Sequence, residues 1–253
     1  MDRLERALEK SRRQRAALTP HPAESAESAC AATDFTVDPM HGTLMESNRI
    51  VAHRARSAEA DVYRQLRTQV LQIMNQSGFK ALAITSPHYG DGKTTVALNL
   101  GISIALDLKQ SVLLVDLDLR KPDLHRYLGV TPQVGLTDYL LNDTPLHDCL
   151  MRPPFERVSV LPAGSVMDRS SELLGAPKMI ALAREMKARY PDRLVIYDMP
   201  PVLTQDDPIA FLPQIDAVLV VVRDGVTRQD DLKRCLTALA GANVIGTALN
   251  DCG

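Results

Sequence analysis

The chain is poor in the residues that proteins use to stack on nucleic-acid bases. Its 253 residues include no tryptophan, and only 4% are aromatic, so an aromatic stacking surface is not expected. Charge is nearly balanced as well, because 29 lysines and arginines stand against 31 aspartates and glutamates, for a formal net charge of -2. A protein held on nucleic acid by bulk electrostatics carries a strong positive charge. We therefore predict no nucleic-acid partner.

Cysteine and long apolar segments are also scarce. The four cysteines, Cys30, Cys149, Cys235 and Cys252, are scattered and form no Cys-x-x-Cys pair. Their spacing excludes a zinc module or a disulfide framework and is typical of a reducing compartment. No apolar run approaches the roughly 18 residues of a membrane span, and the charged residues 1–15 lack the apolar stretch of a signal peptide. These absences favour a cytoplasmic protein without a transmembrane segment of its own.

An N-terminal arm precedes the folded part of the chain. Residues 1–15 have a short helical pattern. We interpret it as a solvated terminus rather than a docking or membrane-surface helix, because its few apolar side chains bury little area. Residues 18–48 contain prolines, serines and alanines without a sustained period, which is typical of a linker. We predict an arm and linker over residues 1–47 and one domain over residues 48–253.

The rest of the chain alternates between short apolar runs and helical patterns. Six apolar runs read as strands, at 81–85, 112–115, 158–161, 194–197, 217–222 and 244–249. Helical patterns lie near 57–76, 93–108, 171–190 and 228–241. Continuous apolar strands separated by helices indicate a parallel sheet covered on both faces. We therefore predict an α/β fold with a doubly wound, mostly parallel sheet.

The first helical pattern, over 57–76, has two different sides. One side carries the apolar residues Val62, Leu66, Val70, Ile73 and Met74. Asp61, Arg64 and Arg67 follow one another at a spacing of three residues, and we expect them on the opposite side. There they would be free to meet a partner.

A glycine-rich loop joins the first strand to the next helix. Gly90, Asp91 and Gly92 precede Lys93, Thr94 and Thr95. The two glycines let backbone N–H groups turn inward, and the helix presents its positive N-terminus to phosphates. Lys93 would reach the β- and γ-phosphates, and the Thr94 hydroxyl would bind Mg²⁺. Pro87 stands where the usual motif has a glycine, so a loop that only turns is the alternative, but the preceding strand and the Lys-Thr pair favour a phosphate loop.

Acidic residues end two of the predicted strands. Asp116 and Asp118 follow the strand 112–115, and Asp198 follows 194–197. Ligands of a parallel α/β sheet gather at the carboxyl ends of its strands. Asp198 would hold Mg²⁺ through water, Asp116 would bind Mg²⁺ or accept a hydroxyl proton, and Asp118 is a weaker candidate for the same cluster. Asn250, at the end of the last strand, would either contact a nucleotide base or only cap a turn.

In this order, these motifs resemble the bacterial tyrosine kinases of capsule and exopolysaccharide synthesis, and specifically the exosortase-associated tyrosine autokinase group. The resemblance covers about residues 48–250. It rests on 61–68 (DVYRQLRT), 85–95 (TSPHYGDGKTT), 115–125 (VDLDLRKPDLH) and 198–207 (DMPPVLTQDD). The Ser-Pro start of the loop and the Asp-x-Pro-Pro sequence are specific, and the family tolerates Pro87.

The resemblance implies a P-loop domain that uses ATP and Mg²⁺ to phosphorylate tyrosines in trans within a ring. Lys93 and Thr94 would be the Walker A pair, Asp116 and Asp118 the second Walker motif, and Asp198 the Walker B residue.

It also implies two kinds of partner. Arg64 and Arg67, with Asp61 in place of the usual glutamate, match a motif associated with subunit contacts. The other partner would be a membrane-anchored polysaccharide chain-length (co-polymerase) protein. The kinase would then lie at the inner face of the plasma membrane through that partner.

The end of the sequence departs from the family. No tyrosine follows Tyr197, so the C-terminal acceptor cluster of the family is not seen. Tyr197 lies in a predicted buried strand, Tyr89 lies in the phosphate loop, and we expect Tyr63 and Tyr127 to be more accessible.

Three functions therefore compete. The first is a tyrosine kinase. The second is a nucleotide-gated assembly switch that transfers no phosphate to tyrosine. The third, a partition or septum-positioning ATPase, is disfavoured because such proteins have a signature lysine where this chain has His88.

Overall fold

The computed structural model describes residues 44–107 and 110–251, so the predicted helix at 1–15 and most of the predicted linker lie outside the described residues. The six strands are β1 (Ala81–Thr85), β2 (Ser111–Asp116), β3 (Val158–Leu161), β4 (Arg193–Asp198), β5 (Ala217–Arg223) and β6 (Val244–Asn250). They form one sheet in the order β3-β2-β4-β1-β5-β6, and every neighbouring pair is parallel. The predicted doubly wound, parallel fold is confirmed.

Besides a short helical segment at 44–47, nine α-helices are described. They are α1 (Ala58–Ser77), α2 (Lys93–Ala105), α3 (Leu124–Tyr127), α4 (Leu136–Asn142), α5 (Leu146–Cys149), α6 (Ser170–Leu174), α7 (Pro177–Ala188), α8 (Asp207–Phe211) and α9 (Gln229–Ala238), with a 3₁₀ turn at Leu212–Gln214. The predicted pattern at 171–190 is two helices, α6 and α7. Pro177 begins the second of them, because proline lacks the N–H that a helix interior needs.

The two faces of the sheet have separate cores. Leu82 and Ile84 of β1 pack on the side of α1 and α2. Ala81 and Ala83 pack on the other side, with residues of α4, α6 and α7. Alternate side chains of a strand point to opposite faces, so strands buried on both faces read as continuous apolar runs.

The core extends into the predicted linker. Residues 44–47 are helical, and Met45 and Ile50 are buried in the α2-side core. The segment therefore belongs to the folded part of the chain, although its composition resembles that of a linker.

The side of helix α1 that is buried differs from the predicted one. It begins after the Ser57 cap and ends at Gly78, whose φ of 67° is left-handed. Its buried residues are Ala60, Val70 and Met74, whereas Val62 is 62% exposed. The predicted apolar stripe was therefore wrong at its N-terminal end.

The predicted free arginines of α1 are also partly engaged. Arg67 Nη1 donates to the carbonyl of Ser103 on α2 at 2.9 Å, and so lies on the packed side. Arg64 forms a 2.7 Å ion pair with Asp61 and donates to the carbonyls of Arg54 and Ala55. Only Asp61, at 64% side-chain exposure, is open to solvent as expected.

Candidate nucleotide and phosphoryl-transfer site

The strand order brings the predicted acidic residues together. Strands β2, β4 and β1 are neighbours, and Asp198 aligns with both Asp116 and Ile84 in the register. The phosphate loop leaves β1 one residue later, so it begins beside both carboxylates. This edge of the sheet is where parallel α/β folds bind ligands.

The phosphate loop has the backbone that the sequence predicts. Gly90 and Gly92 have φ of 86° and 96°, left-handed values that favour glycine. Gly92 is the N-cap of α2, and Lys93 is the first residue of that helix. The loop therefore aims the positive end of a 13-residue helix into the site.

Asp91 holds this loop in shape. Its carboxylate accepts from the His88 N–H at 2.9 Å and from the Thr227 hydroxyl at 3.0 Å. Its carbonyl accepts from the Asn250 amide at 3.0 Å. Asp91 is 2% exposed, so its side chain supports the loop from within. His88, in turn, pairs with Asp231 of α9 at 3.2 Å.

Lys93 lies between two carboxylates. Its Nζ is 3.2 Å from Asp118 Oδ2 and 3.7 Å from Asp198 Oδ1. The Thr94 hydroxyl donates to Asp198 Oδ2 at 2.7 Å. Lys93, Asp116, Asp118 and Asp198 are all buried, and we call these four residues the acidic cluster.

The two aspartates that follow β2 have different surroundings. The Asp116 oxygens accept from the backbone N–H groups of Asp118 and Leu124, each at 3.1 Å. Asp116 thus shapes the loop after β2. Asp118 is the one that contacts Lys93 and also accepts from Gln205, at 3.4 Å. The structure therefore gives Asp118, the weaker candidate by sequence, the more direct position.

Burial sets the electrostatics of the acidic cluster. It raises the pKa of Asp116 well above its ordinary value, and the negative Asp198 adds to the effect. Burial also raises the pKa of Asp198, against the opposing effects of Lys93 and of the Thr94 hydrogen bond. Burial alone would lower the pKa of Lys93, but Asp198 and Asp118 outweigh it and raise that pKa. Among the described residues, the three buried carboxylates of the acidic cluster therefore face only one cation, Lys93.

The donors of the cluster suit Mg²⁺, which prefers carboxylate, hydroxyl and water oxygens. Asp198 Oδ1 is buried and accepts no hydrogen bond within the described residues. In the described part of the chain, no three His, Cys, Asp or Glu side chains already form a metal cage. These side chains therefore fit a Mg²⁺ ion that keeps several of its waters and binds one or two protein side chains together with a phosphate.

A cavity borders the phosphate loop and has none of the acidic-cluster residues in its lining, so it marks a second side of the loop. It holds about 250 Å³ and is lined by Gly90, Gly92, Thr95, Tyr127, Asn250, Arg49, Arg223 and Asp251, with Ser47 and Asn48. Asp251 forms ion pairs with both Arg49 and Arg223. We call this cavity the arginine pocket. The sequence predicted Thr95 and Asn250 at a nucleotide site, but gave no signal for Arg49 or Asp251.

Asn99 fixes the segment that carries Arg49. Its side-chain oxygen accepts from the N–H groups of Val51 and Ala52 at 2.8 and 2.9 Å. Its amide donates to the carbonyls of Arg49 and Thr95, both at 2.9 Å. One fully buried side chain of α2 thereby joins this segment to the phosphate-loop helix, and four hydrogen bonds satisfy its polar groups.

Tyrosine exposure differs from the prediction. Tyr63 is half-buried, and burial raises its pKa to about 12. Tyr127 is half-buried as well, and Tyr197 is buried as predicted. The exposed tyrosine is Tyr89, in the phosphate loop.

No protein-family model matches the chain, but its named relatives include a kinase and a polysaccharide transport protein. The tyrosine-protein kinase YwqD of Bacillus subtilis is 31% identical over 211 residues, which are 83% of this chain and 88% of YwqD. The succinoglycan biosynthesis transport protein ExoP of Rhizobium meliloti is 29% identical over 208 residues, which are 80% of this chain but only 26% of ExoP.

Solved structures point to the same family. The kinase domain of the Escherichia coli tyrosine kinase ETK matches with a TM-score of 0.74 and 28% identity, over 79% of this chain and 78% of that domain. The septum site-determining protein MinD of Pyrococcus horikoshii, complexed with Mg-ADP, matches with a TM-score of 0.55 and 26% identity, over 67% and 69% of the two chains. The fold is thus that of nucleotide-binding P-loop proteins, and the similarity to YwqD shows that the chain belongs to the bacterial tyrosine-protein kinases.

Proposed function

We propose that this chain transfers the γ-phosphoryl group of Mg-ATP to tyrosine, and that it does so in the production of an exopolysaccharide. The observation that carries the proposal is the position of Lys93. Lys93 lies at the start of α2, between Asp118 and Asp198. The chain that places it there belongs to a family of tyrosine kinases. The name of ExoP supports the polysaccharide role.

The two sides of the phosphate loop divide the nucleotide between them. The arginine pocket is lined by Gly90, Gly92 and Thr95, and so it would hold the base and ribose. The phosphates would then cross the loop toward the acidic cluster. Asn250 donates to Asp91 and also lines the pocket, so it would support the loop and border the base.

The acidic cluster must rearrange when the nucleotide binds. Lys93 would exchange its carboxylate partners for phosphate oxygens, and the α2 N-terminus would stabilise the same charge. Thr94, Asp198 and Asp116 would hold Mg²⁺, directly or through water, and that ion neutralises charge on the phosphates when bound. Asp118, released by Lys93, would accept the proton of the attacking tyrosine hydroxyl.

A membrane-anchored partner fits the length of this chain relative to ExoP. The chain spans about a quarter of ExoP, and among the described residues no helix is both long and apolar enough to cross a bilayer. We propose that a membrane-anchored co-polymerase protein holds this kinase at the inner face of the plasma membrane.

Self-association through α1 has a narrower basis than the sequence implied. Arg67 is used within the chain, but Asp61 and Val62 are exposed, with Arg64 beside them. We propose that these three residues form the contact between subunits. Val62→Asp should lower the mass measured by light scattering, whereas Gln76→Asp, at the exposed far end of the helix, should not. An equal mass for both variants contradicts this contact.

The activity is tested with Mg-ATP and a synthetic glutamate–tyrosine polymer as acceptor. We expect Asp118→Asn to reduce the phosphotyrosine formed on the polymer and Asp230→Asn to leave it unchanged. Both variants should still bind ATP. Asp230 is exposed on α9 and pairs with Lys233. ATP binding without any phosphotyrosine would support the assembly switch instead.

A further inference from the structure

Tyr89 differs from the other tyrosines in two respects. It is the most exposed of the six, at 36%, while the others are buried or half-buried. It also lies in the phosphate loop, four residues before Lys93. A hydroxyl nucleophile is therefore present next to the groups that would bind and activate a phosphoryl group.

The Tyr89 hydroxyl is held close to Asp118. The Gln205 amide donates to the Tyr89 hydroxyl, and the same amide nitrogen lies 3.4 Å from Asp118 Oδ1. Asp118 Oδ2 in turn lies 3.2 Å from Lys93. One side chain thus links the phenol to the carboxylate of the acidic cluster that is best placed to accept a proton.

Lys121 holds the ring from another side. Its Nζ lies 4.9 Å from the centre of the Tyr89 ring, within the range of a cation–π contact. Gln205 and Lys121 come from the loops after β4 and β2. Three loops therefore converge on one phenol at the rim of the acidic cluster.

We propose that Tyr89 is a phosphoryl acceptor of its own chain, modified intramolecularly at this site. The inference rests on the proposed kinase function and adds the identity of one acceptor. It assigns Gln205 as a positioning residue, because Gln205 acts only through the Tyr89 hydroxyl and Asp118.

The transfer uses the groups already in place. The Tyr89 oxygen attacks the γ-phosphorus of Mg-ATP and forms the new P–O bond. The bond from the γ-phosphorus to the bridging oxygen breaks, and its electron pair leaves with ADP. The phenolic proton passes to Asp118, the carboxylate that Gln205 links to the Tyr89 hydroxyl. The phosphate then adds negative charge next to Lys121.

The first experiment maps phosphate on the full chain after incubation with Mg-ATP. The peptide containing Tyr89 is expected to carry phosphate, and Lys93→Ala should remove it. Gln205→Ala should slow labelling of Tyr89 more than labelling of the glutamate–tyrosine polymer, since the polymer does not depend on the Tyr89 contact. Tyr190→Phe, at the opposite end of the sheet before β4, should leave the Tyr89 label unchanged. Equal slowing of both acceptors by Gln205→Ala would contradict its positioning role.

The second experiment separates transfer within a chain from transfer between chains. The parent protein is mixed with inactive Lys93→Ala protein enriched in nitrogen-15, so that mass spectrometry distinguishes the Tyr89 peptides of the two chains. An intramolecular reaction leaves the inactive chain unlabelled at Tyr89, and the rate in the unmixed parent protein does not change on dilution. Label on Tyr89 of the inactive chain would overturn the intramolecular assignment.

The polymer distinguishes failure of this inference from failure of the proposed function. If the polymer gains Lys93-dependent phosphotyrosine and Tyr89 gains none, Tyr89 is not an acceptor and the kinase remains. If neither is labelled while ATP binds, both the kinase function and this inference are wrong.

Discussion

The two sides of the phosphate loop are built in opposite ways. On one side, the acidic cluster is buried, and its single lysine already contacts two of its three carboxylates. On the other side, the arginine pocket is open, and Arg49 is 69% exposed. The two sides would therefore have different roles. The closed side has the groups that would stabilise charge and accept a proton, and the open side has the groups that would bind a nucleoside.

The two sides also differ in how their residues are assembled. The acidic cluster comes from strand ends and a helix start, which the parallel sheet places together. The arginine pocket joins Arg49 to Asp251, 202 residues apart in sequence. Both residues have a left-handed backbone, with φ of 57° and 61°, which is uncommon for residues other than glycine.

The sharpest test of the closed side is Lys93→Ala. Removing the cation that contacts Asp118 and Asp198 should lower tyrosine phosphorylation by at least about 100-fold, because the transition-state charge loses its main donor. Phosphotyrosine formed on the glutamate–tyrosine polymer measures the effect. Lys233→Ala, an exposed lysine of α9, should leave the rate unchanged, and a similar loss in both variants would contradict the assignment.

Gly92→Ala tests the point where the two sides meet. A Cβ at Gly92 would lie 1.9 Å from the Asn250 amide nitrogen, so Asn250 must move and release the Asp91 carbonyl. ATP affinity, measured by calorimetry, should fall strongly. Gly90, in the same loop, has a φ of 86° but nothing within 4 Å, so Gly90→Ala supplies the backbone strain without the collision. Equal loss of affinity in both variants would mean that strain alone is responsible.

The sequence predicted the fold well because both sheet faces are covered. Each strand then reads as a continuous apolar run, and all six predicted runs are strands. The errors arose where tertiary contacts override local pattern. Val62 fits an apolar stripe but is exposed, and Arg67 fits a polar face but donates to α2. The short helices α3, α4, α5 and α8 have too few turns to show a period.

The acidic cluster was predictable from the sequence, whereas the arginine pocket was predictable only in part, through Thr95 and Asn250. Lys93, Thr94, Asp116 and Asp198 belong to motifs that lie next to predicted strands, and the structure brings them together. Arg49 and Gln205 have no such signal, because each depends on contacts with distant parts of the chain.

Arg49→Ala tests the open side. The guanidinium borders the arginine pocket and pairs with Asp251, so its loss should weaken ATP binding by roughly three- to tenfold. The rate at saturating ATP should stay unchanged, because Arg49 does not reach the acidic cluster. Arg54→Ala is the matched control, since Arg54 also forms an exposed ion pair, with Glu46. A lower saturating rate with unchanged affinity would contradict the division between the two sides.

The smallest expected effect concerns the stability of the closed side. Burial raises the pKa of Asp198 above its ordinary 3.8, so the folded protein holds this proton more tightly than the unfolded chain does. The stability that this group contributes is therefore present below about pH 4 and is lost as the pH rises through the raised pKa.

Asp198→Asn, which cannot ionise, should raise Tm at neutral pH by about 2–4 °C, the shift that roughly 1 kcal/mol gives in a chain of this size. The gain should shrink as the pH is lowered, while exposed Asp230→Asn should show no such trend. A gain that grows on acidification would mean that Asp198 stabilises the protein as a carboxylate, and that the acidic cluster is not short of positive charge.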